Sequence, residues 1–159
     1  YEGTTAIQAN DLVGRKTARD GGTGAKSIAA QIAKTEAELA ASGNADAQAL
    51  AKRIQAAREA FVDVVDFIAA NTKGNPNAAF AGSVPYLMLT GNLVAGWQMG
   101  RALLVALTPE AQAQDAAFMA AKITTARFYG DHILSKVPGM RDSIVQGAGS
   151  VTALPLEAF

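Results

Sequence analysis

The sequence predicts an all-α fold, an up-down four-helix bundle with a short N-terminal helical segment. Three observations carry this. Thirty-five of the 159 residues are alanine, the best helix former, and runs of Val, Ile and Thr that favour strands are scarce. Apolar residues recur at three- and four-residue steps over long stretches. Proline, glycine and asparagine fall between those stretches, where helices start and stop. The length fits one domain with a core of its own, burying about 70% of the surface its unfolded chain would expose.

In chain order, Thr4 to Arg15 carries Ile7, Leu12 and Val13, enough for a short helix. Asp20-Gly21-Gly22-Thr23-Gly24 is the densest glycine stretch and reads as a flexible linker. Ser27 to Ala41 follows as a helix, with Ile28, Ile32 and Leu39 among alanines and Glu36 and Glu38 turned outward. Ser42-Gly43 ends it, and Asn44 is placed to cap the next helix. That helix is the clearest element. Leu50, Ile54, Ala57, Phe61, Val64, Val65 and Ile68 form one stripe, with Lys52, Arg53, Glu59, Asp63 and Asp66 on other faces.

No charge occurs between Lys73 and Arg101. The length would allow a membrane span, but Asn75, Asn77, Asn92, Gln98 and Pro85 argue for a central bundle helix. Pro85 is expected to start or kink it, and Gly96 and Gly100 mark close approach to a neighbour. Asn75-Pro76 and Thr108-Pro109-Glu110 are both helix starts. The last long helix holds Phe118, Met119, Ile123, Phe128 and Ile133 and is expected to reach Lys136. Pro138-Gly139 breaks it, a weaker helical stretch follows from Met140 to Leu154, and the rest is tail. The expected core is Leu50, Ile54, Phe61, Val65, Ile68, Leu87, Phe118 and Phe128.

Composition excludes several functions. Fourteen basic and fourteen acidic residues cancel, so no charge excess argues for nucleic acid or an anionic membrane surface. With no cysteine and one histidine, neither a thiolate nor a multi-histidine metal site is available. The absence of cysteine suits a reducing compartment, and the expected location is cytoplasmic. Gly21 to Ser27 resembles a phosphate loop but has Ala25 where glycine must precede Lys26, and no strand comes before it. His132, beside Asp131 near a helix end, reads as a residue favoured by the helix dipole. Arg15, Lys16 and Arg19 form a small basic patch. The pairs Glu36/Glu38 and Asp63/Asp66 belong to solvated faces.

The N-terminus carries the candidate chemistry. Glu2 stands between an aromatic residue and a glycine, where an apolar niche can raise a carboxylate toward the pKa of a useful base. Gly3 permits close backbone approach, and Thr4 and Thr5 offer polar groups at a helix start. The run Tyr1-Glu2-Gly3-Thr4-Thr5-Ala6-Ile7-Gln8-Ala9-Asn10-Asp11-Leu12-Val13-Gly14-Arg15-Lys16 resembles the late segment of acyl-CoA dehydrogenases, whose YEGT motif carries a catalytic glutamate. Ala126-Arg127-Phe128-Tyr129-Gly130-Asp131-His132 is similar to the last helix of the bacterial branch with an extra C-terminal helical domain.

The resemblance implies that Glu2 removes the α-proton of an acyl thioester, that Gly3 lies against the substrate, and that Thr4, Thr5 and Ala6 touch FAD. A glutamine commonly stands where Ala6 stands, so only backbone contact is expected there. It further implies an acyl-CoA substrate, electron-transferring flavoprotein as acceptor, and a homo-oligomer. Residues 1–20 would end the catalytic bundle and supply a linker, and residues 21–159 would form the extension. The contrasting expectation is a helical interaction or oligomerisation module without chemistry of its own. A membrane-associated helical protein, suggested by the uncharged stretch before Arg101, is the more distant one.

Overall fold

The computed structural model describes residues 4–158. They are helical, with no strand among the described residues. Four long helices make the bundle: α2 (Thr23–Ala41), α3 (Ala45–Asn71), α5 (Ser83–Ala106) and α6 (Pro109–His132). A short α1 (Thr4–Asp11) runs into a π-helix at Leu12–Ala18, and α4 (Pro76–Ala81) leads into α5. After α6 come a 3-10 turn at Leu134–Lys136, α7 (Val137–Val145) and α8 (Ala148–Val151). Short connections make successive long helices antiparallel neighbours.

The starts follow the capping chemistry in the sequence. The Asn44 side chain accepts from the N–H groups of Asp46 and Ala47 at 3.0 Å. Asn75 accepts from Ala78, and Thr108 from Ala111, each just ahead of a first-turn proline. Such caps each contribute about 1 kcal/mol. The expected flexible linker is instead a hydrogen-bonded turn. Gly21 and Gly22 have positive φ, and the Asp20 carboxylate accepts from the N–H groups of Gly22 and Gly24. A Cβ on Gly22 would stand 2.5 Å from Val65, so the turn is pressed onto α3.

α3 fills the middle of the core. Leu50, Ile54, Ala57, Val64, Val65 and Ile68 are fully buried and Phe61 nearly so. Burying each large side chain stabilises by about 1.5–3 kcal/mol. Against α3 lies α5, whose buried stripe is Tyr86, Leu89, Leu93, Gly96, Gly100 and Leu103. The two glycines are notches. A Cβ at Gly96 would come within 2.7 Å of Leu134, and one at Gly100 within 2.9 Å of Leu39 and 3.0 Å of Ile54. Trp97 Nε1–H donates to Thr35 Oγ1 at 2.9 Å, tying α5 to α2. No helix among the described residues is long and apolar enough to cross a membrane.

Three expected core residues lie elsewhere. Leu87 is only partly buried, because the stripe of α5 passes through Tyr86 and Leu89. Phe118 and Phe128 are 51% and 58% exposed. The buried residues of α6 are Ala111, Ala126 and Gly130, with Ile123 and Tyr129 packed partly buried beside them, and Gly130 presses against Leu50. Small residues there bring the backbone close and leave the phenylalanines outside. α6 also breaks at Asp115, where φ is −159 and ψ 88. The Asp115 carboxylate recaps the helix by accepting from Phe118 N–H at 2.9 Å. The helix ends at His132 rather than Lys136, and the Leu134–Lys136 turn drops Leu134 into the core.

The division between Phe61 and the outer phenylalanines has a measurable consequence. Phe61→Ala is expected to lower unfolding free energy by about 3–5 kcal/mol. Phe118→Ala should change it by less than about 0.5 kcal/mol. Urea titrations followed by circular dichroism check both values.

Candidate functional site

The residues singled out for chemistry are at the chain's beginning. Glu2 and Gly3 lie outside the described residues. Thr4, Thr5 and Ala6 form the first turn of α1 and are exposed, as is Ile7. Only Ala9 of α1 is buried, and the helix rests on α5. α1 thus presents the first turn at the edge of the bundle.

The π-helix fixes that segment. Its wide turn sends Val13 and Thr17 inward while Arg15 and Lys16 stay outside. Thr17 Oγ1 and the Tyr86 hydroxyl are hydrogen-bonded at 2.9 Å in the core. Tyr86 also stacks on Phe61, with ring centroids 6.1 Å apart. Burial pushes the Tyr86 phenol above its ordinary range, and the bond to Thr17 opposes that only in part. On the outside, Arg15 forms a two-point ion pair with Asp11 at 2.6 and 3.0 Å. That hydrogen bond holds the Asp11 carboxyl below its usual range.

Two surface hollows flank the π-helix. One, of about 290 Å³, is mainly apolar and lies among Leu12, Ile28, Phe61, Tyr86 and Thr90. The other, of about 670 Å³, has Arg15, Arg19 and Lys73 on its walls and Gly14, Ala18 and Ala69 beneath. Of the predicted basic patch, Arg15 and Arg19 share this hollow while Lys16 lines the other. Arg15 is paired with Asp11, and Lys73, just beyond α3, joins them. Lys73 could not be found from spacing, because only the fold brings it to the π-helix.

The remaining candidates are structural. Glu36, expected on a solvated face, is only 17% exposed and accepts from Arg58 at 2.8 and 3.3 Å. Asp63 pairs with Arg141 and Asp66 with Lys26, the lysine of the phosphate-loop-like run. His132 is exposed beside the Phe128 ring, 4.4 Å away. Asp131 is held below its usual range by Arg127, with a smaller contribution from Arg53. No group of acidic and histidine residues that could hold a metal occurs among the described residues.

The described residues thus define an all-α helical bundle whose leading turn carries Thr4, Thr5 and Ala6. The chain belongs to the family described as acetyl-CoA dehydrogenase C-terminal like, whose model matches residues 27–155. It is 47% identical over 156 residues to 3-methylmercaptopropionyl-CoA dehydrogenase of Ruegeria pomeroyi, covering 98% of this chain and 26% of that protein. It is 32% identical over 172 aligned positions to the broad-specificity linear acyl-CoA dehydrogenase FadE5 of Mycobacterium tuberculosis, covering 100% and 27%. The chain therefore spans about a quarter of the length of each of these relatives. The resemblance first carried by Tyr1 to Lys16 is thus matched by likeness along the whole chain.

The buried tyrosine sets an alkaline limit on stability. A phenol whose pKa is raised by folding keeps its proton in the native state at pH values where the unfolded chain has lost it. Its contribution is complete below 10.0 and is lost as pH rises through the higher folded value. Tyr86→Phe is expected to lower neutral stability by about 1 kcal/mol, from the unmatched Thr17 hydroxyl. It should also reduce the fall in stability above pH 10.0, as urea titrations across the alkaline range would show.

Proposed function

We propose that this chain is the C-terminal part of an FAD-dependent acyl-CoA dehydrogenase, which oxidises an acyl-CoA to the 2,3-enoyl-CoA. The observation carrying this reading is the 47% identity to an acyl-CoA dehydrogenase over 98% of the chain. Residues 1–20 would end the catalytic bundle and residues 21–159 form the helical extension. Electron-transferring flavoprotein would be the acceptor, the parent a homo-oligomer, and its location cytoplasmic.

In this reading the Glu2 carboxylate accepts the α-proton while the β-hydrogen leaves as hydride. FAD, when bound, supplies the hydride acceptor. Gly3 leaves room for the thioester beside the backbone. Thr4, Thr5 and Ala6 are exposed on the first turn of α1, which suits contact at the edge of a large cofactor. Three residues on one turn are too few to hold FAD against its ordering cost. The rest of its site would come from preceding residues. The extension itself would act through contacts, a role favoured by the exposed Phe118 and Phe128.

Two outcomes test this. The 159-residue chain, purified alone, is expected to be colourless, and a stoichiometric flavin absorbance band would overturn the assignment of the FAD site to preceding residues. In the intact parent, Glu2→Gln keeps size and hydrogen-bonding shape but cannot take the proton. We expect FAD and acyl-CoA binding to persist while kcat falls by about 10²–10⁴ without a rise in KM. Turnover within about threefold of the parent would remove Glu2 from the mechanism.

A further inference from the structure

We infer that the outer face of α6 is a two-fold seam that pairs with α6 of a second copy of this chain. Phe118, Ala121, Thr125 and Phe128 are all exposed and are spaced by three, four and three residues. That spacing is the seam pattern of paired helices. The seam lies opposite Ala126 and Gly130, which face the chain's own core. Its order is large, small, small, large, symmetric about Ile123. Antiparallel pairing around that point sets Phe118 against Phe128 of the second copy, and Ala121 against Thr125. A surface that is its own complement in reverse is what a two-fold interface requires.

The middle of the seam can be covered without stranding a polar group, and the exposed His132, beside the Phe128 ring, lies at its end. Thr124 and Thr125 donate their hydroxyls to Ala120 and Ala121 carbonyls at 3.0 and 2.8 Å, so their methyl groups are what they present. None of the four seam residues is charged. Of the nearest charges, Lys122 lies over the Phe118 ring at 4.9 Å, and Asp131 is engaged by Arg127 and Arg53. Val105, 61% exposed on α5, extends the apolar surface beside Phe118.

A second copy fits better than a preceding part of the same protein. Whatever precedes Thr4 joins the bundle at α1, and α1 packs on α5 and the π-helix while α6 packs on α5 and α3. The leading end and the inner side of α6 share α5 as a neighbour, while the self-complementary order of the outer face is what favours a second copy. Residues 117–132 give a seam about 24 Å long. A helix pair of that length lies near the lower edge of specific interfaces, roughly 1,000 Å² in total, so the isolated pairing is weak. This gives the homo-oligomer of the proposed function a location and rests on no part of its catalysis.

The chain's lack of cysteine allows a direct test of orientation. Ala121→Cys and Thr125→Cys proteins, mixed and oxidised, are expected to form the 121–125 cross-link faster than either forms one alone. Ala41→Cys, exposed at the end of α2, is the background control. Sedimentation equilibrium of the unaltered chain should give a dimer with Kd on the order of 10 µM. Phe128→Asp should weaken it at least tenfold while circular dichroism shows the helices intact. A chain that stays monomeric at about 200 µM overturns the proposal, since that is roughly 20 times the expected Kd. So does a dimer indifferent to Phe128→Asp, or like-with-like cross-linking that outruns the mixture. A monomer in these tests alongside normal turnover of the parent would remove the seam and leave the enzyme reading standing.

Discussion

Everything in this bundle depends on how closely other helices can approach α5. The first eighteen residues of α5 carry no charge and cannot be left to water on most sides, so α5 has to be surrounded. It is met by α1, α2, α3, α6 and α7. Glycines make that crowding possible. Gly100 receives the side-chain tips of Leu39 and Ile54, and Gly96 receives Leu134. Gly82 and Gly130 repeat the device, taking Ile144 and Leu50. Dispersion contacts are made across distances that any Cβ would forbid, so packing is dense without large side chains on both partners.

Local rules made most of this architecture readable. Caps at Asn44, Asn75 and Thr108 carry their chemistry in the residue and its neighbours, and the α3 stripe carries its periodicity. The failures share a cause. Sequence pattern puts Phe118 and Phe128 inside because a large apolar residue on a helix ordinarily belongs there. The alternative, small residues turned inward for close approach, is set by Leu50 on another helix. The glycine turn read as loose because its restraints, the Asp20 cap and contact with Val65, are partly tertiary. Lys73 joined the basic hollow for the same reason.

The site divides along the same line. Glu2 and the threonines after it stand out through the resemblance of Tyr1 to Lys16 to acyl-CoA dehydrogenases, and the relatives match the chain beyond that run. The fold adds how this segment is mounted. α1 rests on α5 with one buried residue, and the π-helix behind it is locked by Thr17 and Tyr86. In the proposed reading, chemistry at the leading turn and packing in the bundle are separate tasks, connected through one short helical joint.

That joint behaves like an indexed coupling. A π-turn accommodates one residue more than an α-turn would, so Leu12–Ala18 fixes the angle at which α1 leaves the bundle. Removing one residue there would tighten the turn and rotate everything before it by about 100° around the helix axis. The core would still find its partners, because Val65, Ile68 and their neighbours are untouched. The leading turn would point somewhere else. The azimuth of the N-terminal segment is therefore encoded as a residue count, independent of the identity of any residue it carries.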